Sequence, residues 1–291
     1  MTGEYALELR GVSKRYRGFA LKNVSFSVPR GYVCGLIGPN GAGKTTIIKL
    51  IMNLVRRDAG DIRVFGLDNR HDEVAVKSRI GFVYDSPGFW DDRTLQAQRA
   101  VLGPFYPSWN DATFDRLAAR FELPMRQRFG KLSRGTKMKF ALAMALSHDA
   151  DLLILDEPTA GLDPVFRREF LQSLGSLLQD EGKSVLFSTH ITSDLDRIAD
   201  YVTFVRRGEI AFSLPRTELL DSWGVVRGDA AALRGIDPAI VRGRRAGRFG
   251  TDVLVSDARQ AARTAGPTAV VDRPTLEDIM VLMAGEGSHA A

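Results

Sequence analysis

Gly38-Pro39-Asn40-Gly41-Ala42-Gly43-Lys44-Thr45-Thr46 is the stretch that decides the fold. It follows the apolar run 33–37, which reads as a strand, and leads directly into 44–54, which reads as a helix. A glycine-rich loop between a strand and a helix is the arrangement of a phosphate loop. Without side chains in the way, successive backbone N–H groups approach phosphate oxygens closely. The helix start adds its partial positive charge. In that geometry Lys44 neutralises β and γ oxygens of a nucleoside triphosphate, and Thr45 offers its hydroxyl to Mg2+.

Downstream, Leu152-Leu153-Ile154-Leu155-Asp156-Glu157 is an apolar strand that ends in two acids. Charges avoid protein interiors, so paired carboxylates at the end of a buried strand need a chemical reason. On this reading Asp156 holds Mg2+, directly or through water, and Glu157 polarises an attacking water. Between loop and acids stands Leu132-Ser133-Arg134-Gly135-Thr136, with Ser133 placed 23 residues before Asp156 (133 to 156). Serine suits the N-cap of the apolar helix that follows to Leu146.

Strand-like runs at 5–9, 21–28, 62–65, 80–84, 184–188 and 201–206 surround these motifs. Helix-like runs at 111–121, 164–178 and 193–199 alternate with them. Such alternation predicts an α/β protein with a parallel sheet covered on both faces. The character changes near Leu220. From Ser222 onward, strand-like pieces (223–227, 253–256, 268–271) alternate with helix-like ones (257–265, 275–283), which predicts a small α/β unit without a catalytic motif. The tail 285–291 is expected to be disordered.

Two further pieces, Ala160-Gly161-Leu162-Asp163 and His190 at the end of the run 185–189, complete a set of five motifs. In this order and spacing they make residues 5–215 resemble the ATP-binding cassette (ABC) ATPases. The resemblance implies a P-loop fold with a parallel core, an N-terminal antiparallel β part and a helical subdomain inserted at about 86–147. It makes 1–221 the ATP-binding domain and 222–291 an accessory domain.

The site follows residue by residue. Gly38, Pro39, Asn40, Gly41, Ala42, Gly43, Lys44, Thr45 and Thr46 bind nucleotide, with Tyr16 matching the aromatic that stacks on adenine. Thr45, Asp85 and Asp156 are the metal positions. Glu157, His190 and Lys44 are the catalytic positions, and His190 matches the switch histidine. Ser133 and Gly135 match signature residues that contact ATP bound to the other subunit. Asp163 matches the loop at the dimer seam. ATP and Mg2+ are the implied cofactors.

Two departures stand out. Arg134 and Thr136 occupy positions where the family's signature usually has glycine and glutamine, so Arg134 adds a charge near the γ-phosphate or points to solvent. Asp85, in Gly81-Phe-Val-Tyr-Asp85, stands where most members have a glutamine that binds Mg2+ and water. The Tyr-Asp pair together with this style of signature helix resembles a bacterial exporter subgroup that handles peptides and antibiotics.

Composition fits that picture. Apolar content of 44% and charged content of 26% are ordinary for a globular protein. No apolar run approaches the roughly 20 residues of a membrane-spanning helix. The first residues lack a signal-peptide pattern. The expectation is a cytoplasmic chain, peripheral on the inner face of the membrane, that drives a separate transmembrane permease subunit as a homo- or heterodimer of ATPase subunits. Phe89, Trp90, Phe105, Tyr106 and Trp109 supply a docking surface, with no more than half of them exposed. Cys34, the one cysteine, reads as core. Between Arg93 and Ser147, 10 Lys/Arg stand against 3 Asp/Glu, which reads as a solvated face or as one turned to an anionic partner. Nucleic acid is not an expected partner. Two other readings share these residues: a soluble ATPase acting on ribosome or nucleic acid, and a low-turnover regulatory ATP sensor.

Overall fold

The computed structural model describes residues 4–181, 183–247 and 250–285. Its N-terminal part is an antiparallel sheet in the order β2-β1-β4-β5, from β1 (Tyr5–Tyr16), β2 (Phe19–Pro29), β4 (Ala59–Val64) and β5 (Leu67–Asp68). Tyr16 pairs with Phe19, so Arg17 and Gly18 form a two-residue hairpin turn, and Gly18 takes the positive φ of 85° that favours glycine.

The second sheet has the order β10-β9-β3-β8-β7-β6. It consists of β3 (Val33–Ile37), β6 (Ile80–Val83), β7 (Leu152–Asp156), β8 (Ser184–Ser188), β9 (Tyr201–Arg206) and β10 (Glu209–Pro215). All pairings in it are parallel except β9 with β10. Every residue of β3, β7 and β8 is buried. Their side chains alternate between two cores, as a period of two requires. Leu152 and Ile154 join Leu36, Ile47 and the apolar face of β1 and β2. Leu153 and Leu155 face the opposite way, toward Phe140, Phe170 and Leu195. Each buried Leu or Ile contributes about 1.5–3 kcal/mol over exposure, which makes this sheet the rigid frame of the molecule.

Helix α1 (Lys44–Ile51) leaves β3 through the glycine loop. It stops before Leu54, because Met52 already has a non-helical backbone. After α2 (Glu73–Ser78), the insertion between β6 and β7 carries α3 (Leu95–Leu102), α4 (Asp111–Arg120) and α5 (Arg134–Leu146), each started by a side-chain N-cap: Thr94, Asn110 and Ser133. The proline-broken stretch 87–107 thus contains a short helix whose register the sequence concealed. Phe89, Phe114, Phe129 and Phe140 pack these elements on one another. Of the five expected docking aromatics, Trp90 and Phe105 are exposed, while Phe89 and Trp109 pack against the core and Tyr106 stacks on His148.

Helices α6 (Pro164–Glu181) and α7 (Thr192–Ile198) follow β7 and β8. Beyond α8 (Arg216–Ser222) stands a third, antiparallel sheet in the order β12-β13-β11-β14: β11 (Gly224–Gly228), β12 (Val241–Gly247), β13 (Gly250–Val255) and β14 (Val270–Asp272). Helix α9 (Ala258–Thr264) contacts β11, and α10 (Leu276–Gly285) packs on β12, β13 and α7. Gly285 ends a helix, contrary to the expectation of a disordered tail from that residue; the rest of that tail lies outside the described residues. Cys34 is buried with its Sγ 3.4 Å from Thr203 Oγ1, and burial pushes its thiol up to about 11, which keeps it an inert core residue. Among the described residues no helix is long and apolar enough to cross a membrane.

Candidate functional site

A cavity of about 910 Å3 opens at the C-terminal ends of the parallel strands and is lined by the loop after β3, by Glu157 and by His190. Ligands of open α/β sheets bind in this place. Gly38 has φ 152°, and a Cβ there would lie 2.2 Å from the Val205 carbonyl oxygen, so only glycine lets the loop run this close to β9. Gly43, with φ 116°, caps α1 in the left-handed region.

Lys44 is buried and bends back over the loop, where its Nζ donates to the carbonyls of Gly38 (2.7 Å) and Pro39 (3.3 Å). Burial lowers its pKa, while the carboxylates of Glu157 and Asp156 act to raise it. Thr45 Oγ1 donates to Asp156 Oδ2 at 3.0 Å. Asp156 is fully buried, and burial, aided by Glu157 and Asp85, raises its pKa against the Thr45 hydrogen bond. Its second oxygen, Oδ1, is buried without a hydrogen-bond partner among the described residues. A buried carboxylate oxygen left unpaired beside a threonine hydroxyl suits a divalent cation. Among the described residues no cluster of three or more His, Cys, Asp or Glu is arranged to hold a metal.

Glu157 follows β7 with φ 50°, a strained conformation for a side-chain-bearing residue, and its N–H donates to the Ser188 carbonyl at 2.9 Å. Its Oε2 lies 2.8 Å from His190 Nδ1 and 3.4 Å from the His190 backbone N–H. The strain aims the carboxylate at the cavity rather than along the strand.

Ser133 Oγ accepts from the Thr136 N–H at 3.1 Å and lies 2.9 Å from the Thr136 hydroxyl, so the unusual threonine reinforces the cap of α5. Gly135 sits against the Gly161 carbonyl, where a Cβ would be at 3.7 Å. Arg134 and Asp85 also line the cavity. Asp163 starts α6, with its Oδ1 accepting from the Phe166 N–H at 2.9 Å. Tyr16 is exposed at the hairpin end with the Lys14 ammonium 5.6 Å from its ring, and its cross-strand neighbour Phe19 is the aromatic that lines the cavity.

Sequence reasoning passed over one cluster beside this site. Asp194, on α7 and almost wholly buried, accepts from Thr159 Oγ1 at 2.6 Å and from Arg167 Nε at 2.7 Å. It thereby ties the turn behind Glu157 to α6 and to the helix after His190. Nothing in the local sequence marks Asp194, because its partners lie 35 and 27 positions away.

The ABC transporter family model matches residues 21–160. The chain is 36% identical to the ABC transporter ATP-binding protein NatA of Bacillus subtilis, over 66% of this chain and 80% of that one. It is 31% identical to the bacitracin transport ATP-binding protein of Enterococcus faecalis, over 75% and 72% respectively. With the Nod factor export ATP-binding protein I of Burkholderia orbicola it shares 34% identity over 81% and 79%. A solved structure of an ATP binding subunit of an ABC transporter superposes with a TM-score of 0.68 at 26% identity, covering 74% of this chain and 92% of that one. The chain therefore belongs to the ABC transporter ATP-binding family, and it is an ATPase subunit with the P-loop ABC fold.

Proposed function

We propose that this chain is the cytoplasmic ATP-hydrolysing subunit of an exporter, working as a dimer on a separate membrane permease. The observation that carries the reading is the convergence of Lys44, the Thr45–Asp156 pair and the Glu157–His190 pair on one cavity. The relative named for Nod factor export supports the direction of transport.

Backbone N–H groups of residues 40–46 cradle the phosphates, and Lys44 exchanges its loop carbonyls for β and γ oxygens. Thr45 and Asp156, with Asp85 at the cavity wall, would hold Mg2+, which when bound neutralises phosphate charge. Glu157 takes the proton of the attacking water, and His190, through Nδ1, holds that carboxylate in its strained orientation. The base stacks at the hairpin end, where Tyr16 is exposed and Phe19 lines the cavity. Ser133 and Gly135 present the start of α5 to the nucleotide of a second subunit, and the Asp163 turn meets that subunit at the seam. ATP then favours the closed dimer through its higher affinity for that state. The exposed Trp90 and Phe105 mark where the permease docks on the helical insertion.

Glu157→Gln tests the assignment. The variant is expected to bind ATP, to lose turnover by about 10²-fold or more and to accumulate a dimer in ATP. Unchanged turnover would remove Glu157 from its role, and intact ATP affinity in Lys44→Ala would remove the cavity.

A further inference from the structure

Strand β8 ends beside both acids that follow from β7. In the parallel pairing of the two strands Asp156 stands opposite Ser188, and the Ser188 carbonyl accepts from the Glu157 N–H at 2.9 Å. Side chains alternate along a strand, so Ser188 points to the same face as Leu186, in the row that also holds Ile154 and Asp156. On its other flank Ser188 stands opposite Leu36 of β3. The hydroxyl thus has an apolar neighbour on one side and the Asp156 carboxylate on the other.

Both side chains are fully buried. Ser188 Oγ and Asp156 Oδ1 are each without a hydrogen-bond partner among the described residues. A buried polar atom left so costs about 1–3 kcal/mol. A hydroxyl donates one hydrogen bond and an ionised carboxylate only accepts, so the two orphans are made to satisfy each other. The serine already acts on the acid: together with the Thr45 hydroxyl it opposes the rise that burial gives the Asp156 pKa. Thr45 Oγ1 takes Oδ2, at 3.0 Å, which leaves Oδ1 for Ser188.

We propose that Ser188 is a positioning residue: its hydroxyl donates to Asp156 Oδ1, the oxygen that Thr45 leaves free, and thereby sets how tightly the site takes a divalent ion with its nucleotide. The proposal rests on the reading of this cavity as the site of ATP and Mg2+. A carboxylate oxygen that accepts one hydrogen bond keeps a second lone pair, so donation by Ser188 does not use up Oδ1. Hydrogen-bond partners of metal-ligating groups contribute about 10- to 100-fold in metal affinity. One residue then supports both acids, Glu157 through its carbonyl and Asp156 through its hydroxyl.

The test uses the full chain and a fluorescent, non-hydrolysable ATP analogue whose dissociation constant is measured in EDTA and in saturating Mg2+. The ratio of the two constants reads the coupling of metal to nucleotide without any turnover. Ser188→Ala is expected to bind the analogue like the wild type in EDTA and to lose about tenfold of the Mg2+ enhancement. Ser188→Thr, which keeps the hydroxyl, recovers most of that loss. An unchanged ratio in Ser188→Ala overturns the proposal, and so does a wild type that shows no Mg2+ enhancement. Equal weakening in EDTA and in Mg2+ overturns it too, since the serine then serves the fold alone. If Ser188→Ala does not fold, Ser188→Cys, close in shape but a weaker donor, gives the same reading. In an Asp156→Asn background, Ser188→Ala is expected to change the ratio no further; a second loss there places the action of the hydroxyl elsewhere and overturns the positioning role. Lys44→Ala in EDTA checks the underlying reading by itself: if it binds the analogue normally, the cavity is not the nucleotide site.

Discussion

Removing the Asp194 carboxylate tests whether the turn behind Glu157 is held from a distance. The side chains of Asp194 and Arg167 are 2% and 28% accessible, and Thr159 is buried. Asp194→Ala leaves a guanidinium and a hydroxyl without their partner. Breaking a buried pair from one side costs about 3–5 kcal/mol. Arg167 borders a small cavity of about 180 Å3 and regains some water there, which puts the expected loss near the lower end, about 3 kcal/mol. With a urea m-value of about 3 kcal/mol per M, the midpoint falls by about 1 M. Asp194→Asn keeps an acceptor for Thr159 and loses only the charge, so its shift is less than half as large. Turnover should fall in the alanine variant at temperatures where it remains folded, because Thr159 lies two residues beyond Glu157 and the strained φ of 50° needs outside support. Urea unfolding followed by fluorescence, with ATPase rates on the same samples, checks both parts. A midpoint shift below about 0.3 M for Asp194→Ala would refute the stability argument, and lost stability with full turnover would refute the coupling to Glu157.

Two further outcomes follow from buried groups and backbone. Burial, aided by the Lys183 charge, lowers His148 from 6.5 to about 4. The unfolded chain therefore binds a proton that the folded one refuses between those values. Stability is present in full above pH 6.5 and is lost as pH falls toward 4, by up to about 3 kcal/mol. His148→Phe, which keeps a ring against Tyr106, should flatten that part of the curve when unfolding free energies are compared from pH 7 to 4; parallel curves would contradict it. Gly38→Ala forces a methyl to within 2.2 Å of the Val205 carbonyl in a conformation that alanine avoids. It should cost about 1–3 kcal/mol and abolish nucleotide binding, as read by thermal midpoint and by displacement of a labelled nucleotide.

What was legible in the sequence divides along burial. The central strands β3, β7, β8 and β9 match their expected limits to the residue, because a strand buried on both faces is a continuous apolar run between turn residues. Strand β10 was missed: it is an edge strand whose burial alternates, and its polar positions break the apolar signal. Strand β12 was missed because Arg242-Gly243-Arg244-Arg245 reads as a charge cluster; Gly243 is needed there, since a Cβ would meet the Leu282 carbonyl of α10 at 2.4 Å. The glycine loop, the paired acids and the Ser133 cap are contiguous in sequence and could be read locally. Contacts between distant segments could not. The Thr159–Asp194–Arg167 cluster and the Asp85–Arg134 pair exist only because α5, α6 and α7 converge on the ends of the parallel strands. Taken singly, Asp85 reads as a metal position and Arg134 as a charge near the γ-phosphate or a solvent-facing side chain. Side by side they are one neutral unit at the cavity wall, so a substitution here has to be judged with the residue it touches.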